Sequence, residues 1–197
     1  MPEPAGRTIL TDMRYWLILA AALALGIANT VPVRADQTDP RLDSLFVRLK
    51  AAVSADEARW LEDAIWQLWS EPKTAGGRVL MRDGLAAMEA ELYDAALESF
   101  DALVAIEPDF AEAWNRRATA RYLAGDFNGS VADIQHVLAL EPRHFGALSG
   151  LGLIYDALDE KPAAIKAFRA ALEIDPHMEA IRARLDQLVK EVEGTPL

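Results

Sequence analysis

The chain reads as an all-α protein, a solenoid of stacked helical hairpins, because its chemistry repeats. Pro108, Pro142 and Pro176 stand 34 residues apart, and the residues around them recur in phase. Phe100, Ile134 and Phe168 share one place in that period, Gly84, Ala118 and Gly152 another, and Ala96, Ser130 and Ala164 a third. An acidic residue precedes each proline: Glu107, Glu141 and Asp175. Outside the repeated stretch, Leu42, Leu45, Phe46 and Leu49 recur at helical spacing. A period of this length means units that bury their apolar faces only against their neighbours.

The first 35 residues have the make-up of an export signal. Arg7 and Arg14 supply a positive stretch before the apolar run 15–28 (YWLILAAALALGIA), Pro32 follows, and Val33-Arg34-Ala35 offers a small-residue cleavage site before Asp36. A second cut is available after Ala28. Fourteen residues rise only about 21 Å as a helix, short of the roughly 30 Å hydrocarbon core. A cleaved signal peptide is therefore expected, and an uncleaved inner-membrane anchor is the alternative. The chain has no cysteine, which suits an exported bacterial protein without disulfides. A periplasmic location follows as the expectation.

Hydrophobic residues make up 52% of the chain, too many for disorder. The net charge of −11 argues against nucleic acid, whose phosphates call for clustered Lys and Arg.

Residues 36–76 predict a helical hairpin. Pro40 suits a helix start, and Ser54-Ala-Asp-Glu57 is a capping box opening a second helix that runs to about Ser70. Leu61, Ala64, Ile65, Leu68 and Trp69 form its apolar stripe. Phe46, Leu49 and Trp66 fall in phase with the repeats, whereas Glu62 occupies the place of Ala96 and Ala164, so the hairpin has partial repeat character. Trp66 and Trp69 are expected to pack on the first repeat, with Trp60 as an exposed anchor. The repeats span 77–110, 111–144 and 145–176. Gly125-Asp126 and Asp159-Glu160 mark turns between helices, Asp126 as an N-cap. Residues 177–197 predict a capping helix with Ile181, Leu185, Leu188 and Val192 on one side.

Leu148-x-x-Leu151-Gly152-x-x-Tyr155, followed by Ala164, Phe168 and Pro176, resembles the tetratricopeptide repeat, a 34-residue helix–turn–helix unit. The resemblance covers about half the chain, residues 77–176. It implies antiparallel helix pairs stacked in a right-handed superhelix whose concave face binds peptides or proteins. The first helix of each repeat lines that groove in the family. Carried over by phase, the groove would present Arg78, Met81, Arg82, Leu85 and Met88 from the first unit. Asn115, Arg116, Thr119 and Tyr122 would come from the second, and Ser149, Leu153 and Asp156 from the third, where Gly146 and Gly150 leave room. Guanidinium groups at 78, 82 and 116 suit carboxylates, unless they pair with acids of the chain itself. The Lys and Asn clamp by which some family members hold a C-terminal carboxylate is not carried here, since Met81 and Leu85 stand at the corresponding first-repeat positions.

Asp83 and Arg117 occupy the place where Leu151 shows the family's apolar residue, and they are expected to face each other across adjacent repeats. Arg121, in the place of Tyr155, has no account from sequence. No catalytic constellation, metal-spaced histidine set or phosphate loop stands out among His136, His144, His177 and the scattered acids. The sequence thus predicts a non-catalytic protein- or peptide-binding adaptor or assembly factor of the cell envelope, with no cofactor. The competing readings are a membrane-tethered scaffold, a hydrolase acting on envelope polymers, and self-association through an exposed end of the solenoid.

Overall fold

The computed structural model describes residues 36–194, and the leader expected over 1–35 lies outside them. Among the described residues there are nine α-helices and no strand. Helices α1 (Arg41–Ala51) and α2 (Ala55–Trp69) form the N-terminal hairpin. The repeats are α3 (Ala75–Glu89) with α4 (Tyr93–Ile106), α5 (Ala111–Leu123) with α6 (Phe127–Leu140), and α7 (Phe145–Ala157) with α8 (Lys161–Ile174). A last helix, α9 (Glu179–Glu193), packs on α8. None of the described helices is long and apolar enough to cross a membrane.

Within each repeat the two helices meet where a small residue faces a large one. A Cβ at Gly84 would lie 2.6 Å from the Phe100 ring, and one at Gly152 would strike the Phe168 ring. The middle repeat has Ala118 in that place, and the opposing residue is the slimmer Ile134. Ser130, opposite Ala118, donates to the Ala118 carbonyl at 2.7 Å. The three crossings are thus solved by paired changes in size, as close packing demands.

The turn inside each repeat needs one residue in the left-handed region, at the same phase each time. Glu91 and Asp159 adopt φ of 58°, and Gly125 adopts 84°. Asp126 then caps α6 by accepting from the Gly129 N–H at 2.9 Å. Ser54 caps α2 in the same way through the Glu57 N–H.

The acids before the prolines are buried and bind backbone at the turns between repeats. Glu141 accepts from the Arg143 N–H and guanidinium, and Asp175 accepts from the His177 N–H. Glu107 instead accepts from the Lys73 and Thr74 N–H groups and the Thr74 hydroxyl, fixing the start of α3.

The N-terminal hairpin runs along these turns rather than stacking as a further repeat ahead of α3. At the first turn, Lys73 bridges Asp36 and Asp109. At the second, Trp69 stacks on His144, Trp66 meets His144 and Phe145 edge-on, and Arg143 pairs with Asp43. At the third, Ile174 and Met178 pack against the hairpin core. Trp66 and Trp69 therefore pack on the start of the third repeat, not on the first. The physical reason is the chain's own geometry: the polar segment between α2 and α3 turns the hairpin back over the solenoid edge, where Phe145 completes its apolar core. Trp60 is 56% exposed, with the Arg48 guanidinium over its ring.

The expected Asp83–Arg117 pair does not form. Arg117 turns to Asp133 and Asp101 within its own stack, and Asp83 pairs with Arg82 beside it. Asp133 is buried and is also reached by Arg121 at 3.1 Å. That contact gives Arg121 its role: a buried carboxylate needs compensating charge, and two arginines of α5 supply it.

Candidate peptide-binding groove

The first helices α3, α5 and α7 carry the residues expected to line a groove, and the structure separates them into three environments. From α3, the Arg78 and Arg82 side chains are 50% and 71% exposed, and their acidic partners, Glu71 and Asp83, are exposed as well. Leu85 stands partly exposed. Met81 turns into the core beside Phe100, and Met88 packs against that same core, so neither is an open groove contact.

The second environment is a polar cluster under the hairpin, centred on a buried carboxylate. Glu112, in the first turn of α5, is buried. Its carboxylate accepts from Asn115 at 2.9 Å and from His144 Nε2 at 3.1 Å. Arg116 forms an ion pair with it at 2.5 Å. The Ala147 N–H donates to His144 Nδ1, so His144 caps α7 and its proton sits on Nε2, facing Glu112. The Trp66 ring lies beneath the Arg116 guanidinium and against Gly146, where a Cβ would come within 2.7 Å of it. Arg116 is thereby engaged by Glu112 and Trp66, although a third of its side chain stays exposed. Neither Glu112 nor His144 was found as a site residue from sequence; the available signal was the Glu112–Arg116 spacing of four.

The third environment is an open cleft of about 290 Å³ between α5, α6 and α7. Asn115, Thr119, Tyr122, Ser149 and Leu153 line it, all five expected from sequence. Its floor is Ala118, Ile134 and Ile154. Asp156, the remaining expected residue, is held by Arg184 of α9, whose guanidinium keeps the carboxyl below its usual pKa. The structure thus brings together five of the seven groove residues expected from the second and third repeats and leaves Arg78 and Arg82 of the first as a separate exposed pair. No group of three or more potential metal-ligating side chains is assembled among the described residues.

Comparison with known proteins agrees with this architecture. The tetratricopeptide repeat profile matches residues 82–132 and 118–179. A TPR repeat-containing protein of Rhizobium etli is 36% identical over 154 residues, which is 78% of this chain and 76% of that protein. Among solved structures, the first repeat domain of Spaghetti (RPAP3), bound to the HSP90 peptide SRMEEVD, superposes with a TM-score of 0.58. It has 21% identity and covers 60% of this chain and 94% of that one. MamA superposes with a TM-score of 0.57 and 22% identity, over 70% of this chain and 78% of that one. With the phased helix pairs and this relative in view, the chain belongs to the tetratricopeptide-repeat family, whose domains generally mediate protein–protein interaction.

Proposed function

We propose that this protein is a non-catalytic adaptor or assembly factor of the bacterial cell envelope that holds a partner polypeptide against the first helices of its repeats. The observation that carries the reading is the open cleft lined by Asn115, Thr119, Tyr122, Ser149 and Leu153. Elsewhere on this face, Trp66 covers Arg116 and Gly146. A partner chain therefore runs from the exposed Arg78 and Arg82 toward the cleft, without passing beneath the hairpin. Export to the periplasm is supported by the basic and apolar leader of residues 1–35 and by the lack of cysteine. The mass of the mature N-terminus decides between a cleaved leader and a tether.

A photoreactive residue at Thr119 or Tyr122, introduced in the native host, tests the binding face. Crosslinks to a protein from these sites, and none from Lys166 or Arg169 on α8, are expected. Crosslinks from α8 alone would sink the reading.

A further inference from the structure

The cleft exists because α7 carries glycine at positions 146 and 150, one helical turn apart, and only one of those gaps is filled from within the protein. The space at Gly146 is taken by the Trp66 ring. Gly84 and Gly152 are likewise demanded by the phenylalanine rings that press on them. Gly150 is different. A Cβ there would meet only Ile134 Cδ1, at 3.9 Å, an ordinary contact. Inside a helix, glycine costs about 1 kcal/mol relative to alanine, and the fold gains no contact in return.

The cleft walls say what would use that room. Its lining holds no charged side chain. Four of the five polar side chains present already donate within the fold: Asn115 to Glu112, Thr119 to the Asn115 carbonyl, Ser130 to the Ala118 carbonyl and Ser149 to the Gly146 carbonyl, and Tyr122 is the fifth. A charged occupant would be stripped of water without compensation. The volume of about 290 Å³ falls at the bottom of the range for whole small-molecule sites, roughly 300–1,000 Å³. Leu123 and Leu153 at the rim remain 46% and 41% exposed.

We infer that this cleft is an anchor site for one large apolar side chain, of the leucine, methionine or phenylalanine class, on a partner polypeptide. The inference rests on the peptide-binding reading above and adds the residue class selected. Charge complementarity fixes the occupant's other end. The segment carries acidic residues on the side facing Arg78 and Arg82, whose side chains are half or more exposed and whose acidic partners, Glu71 and Asp83, are exposed as well; Arg78 also donates to the Pro72 carbonyl.

The test uses the full mature chain and short fluorescein-labelled peptides with a glutamate pair at one end and Leu, Met, Phe, Ala or Lys at one central position. Binding is read by fluorescence anisotropy, and the contact site by methyl shifts of Ile134 and Ile154 and amide shifts of Thr119 and Ser149. The Leu, Met and Phe peptides are expected to bind at least about tenfold tighter than the Ala and Lys peptides, given about 0.8 kcal/mol per buried methylene. Gly150→Leu should abolish that preference while melting no lower than wild type. Gly150→Ala should melt higher and lose part of the preference. If all peptides bind alike with shifts at Thr119 and Ser149, groove binding stands and the anchor is refuted. If no peptide perturbs any groove resonance, the peptide-binding reading falls and takes the anchor with it. If laurate saturates the cleft and displaces the peptides, the site is an acyl-chain site and the inference is overturned.

Discussion

The Trp69 indole lies face to face on the His144 imidazole, with ring centroids 4.2 Å apart and planes within 9°. One ring belongs to the end of α2 and the other caps α7, so this stack is one of the contacts that tie the N-terminal hairpin to the third repeat. Repeat arrays normally gain stability only from sequential neighbours. Here a long-range contact is added, and Trp69→Ala should therefore cost about 3–5 kcal/mol, the usual range for removing a buried aromatic. Urea denaturation followed by circular dichroism measures the loss. Hydrogen exchange should also show faster exchange at the Ala147 and Leu148 amides, which lie far from Trp69 in sequence. Unchanged exchange there would mean that the hairpin is a passive appendage.

The Ala118–Ile134 crossing predicts a compensated pair. Ile134→Phe alone should overpack the middle repeat by about 1–3 kcal/mol, because an alanine methyl stands where the other repeats have glycine. Ala118→Gly combined with Ile134→Phe recreates the Gly–Phe arrangement of the flanking repeats and should recover most of that loss. Thermal melts of the two single variants and the double variant give the coupling directly. Additive effects would show that the two side chains do not share a contact.

Much of this architecture was legible in the 34-residue phase, since Gly–Phe crossings, turn positions and prolines repeat at fixed places. The hairpin's final position was not legible. Its apolar stripe announced that it packs, but periodicity is silent on which surface an out-of-phase element finds. The same limit explains the Asp83–Arg117 expectation: phase places both residues at equivalent positions, while Asp133, on the facing helix of the same repeat, offers the buried carboxylate that captures Arg117. For the groove, phase located the cleft residues of α5 and α7. It did not show that Arg116 is taken by Glu112 and Trp66: the spacing of four allows the first contact without requiring it, and Trp66 comes from outside the repeat pattern.

Glu91 and Asp159 hold left-handed backbone without being glycine. That conformation costs an L-residue roughly 1–2 kcal/mol, partly offset against glycine by the latter's greater chain entropy. Glu91→Gly should therefore raise stability by about 0.5–1 kcal/mol. Gly125→Ala should lower it, although a Cβ there would touch nothing within 4 Å. Opposite signs at equivalent positions isolate backbone strain from packing. Equal signs in differential scanning calorimetry would reject this account.

Two carboxyls, Glu62 and Asp175, act on each other where the hairpin meets the end of the third repeat. Asp175 Oδ2 is buried with no hydrogen-bond partner, and the neighbouring Glu62 carboxyl acts on its titration; a proton shared between the two carboxyls would satisfy that oxygen. Burial raises the pKa of both, and the Asp175 charge raises that of Glu62 further. His177 acts in the other direction on both groups, Asp63 stands behind Glu62, and Arg59, Glu179, Arg182 and Asp186 line the adjoining cavity between α2 and α9. A carboxyl whose folded pKa is raised favours the native state fully below its unfolded pKa, whose ordinary values here are 3.8 and 4.5, and that contribution is lost as pH rises through the folded value. Asp39 and Asp156, held low by Arg41 and Arg184, work with the opposite sign and mask the effect in the wild type. Glu62→Gln separates the two, because its amide donates to Asp175 at every pH. The variant should be more stable than wild type near neutral pH, and that advantage should shrink as pH falls toward about 4. Urea midpoints across the series measure it, and a difference constant with pH would show that no proton is shared between Glu62 and Asp175.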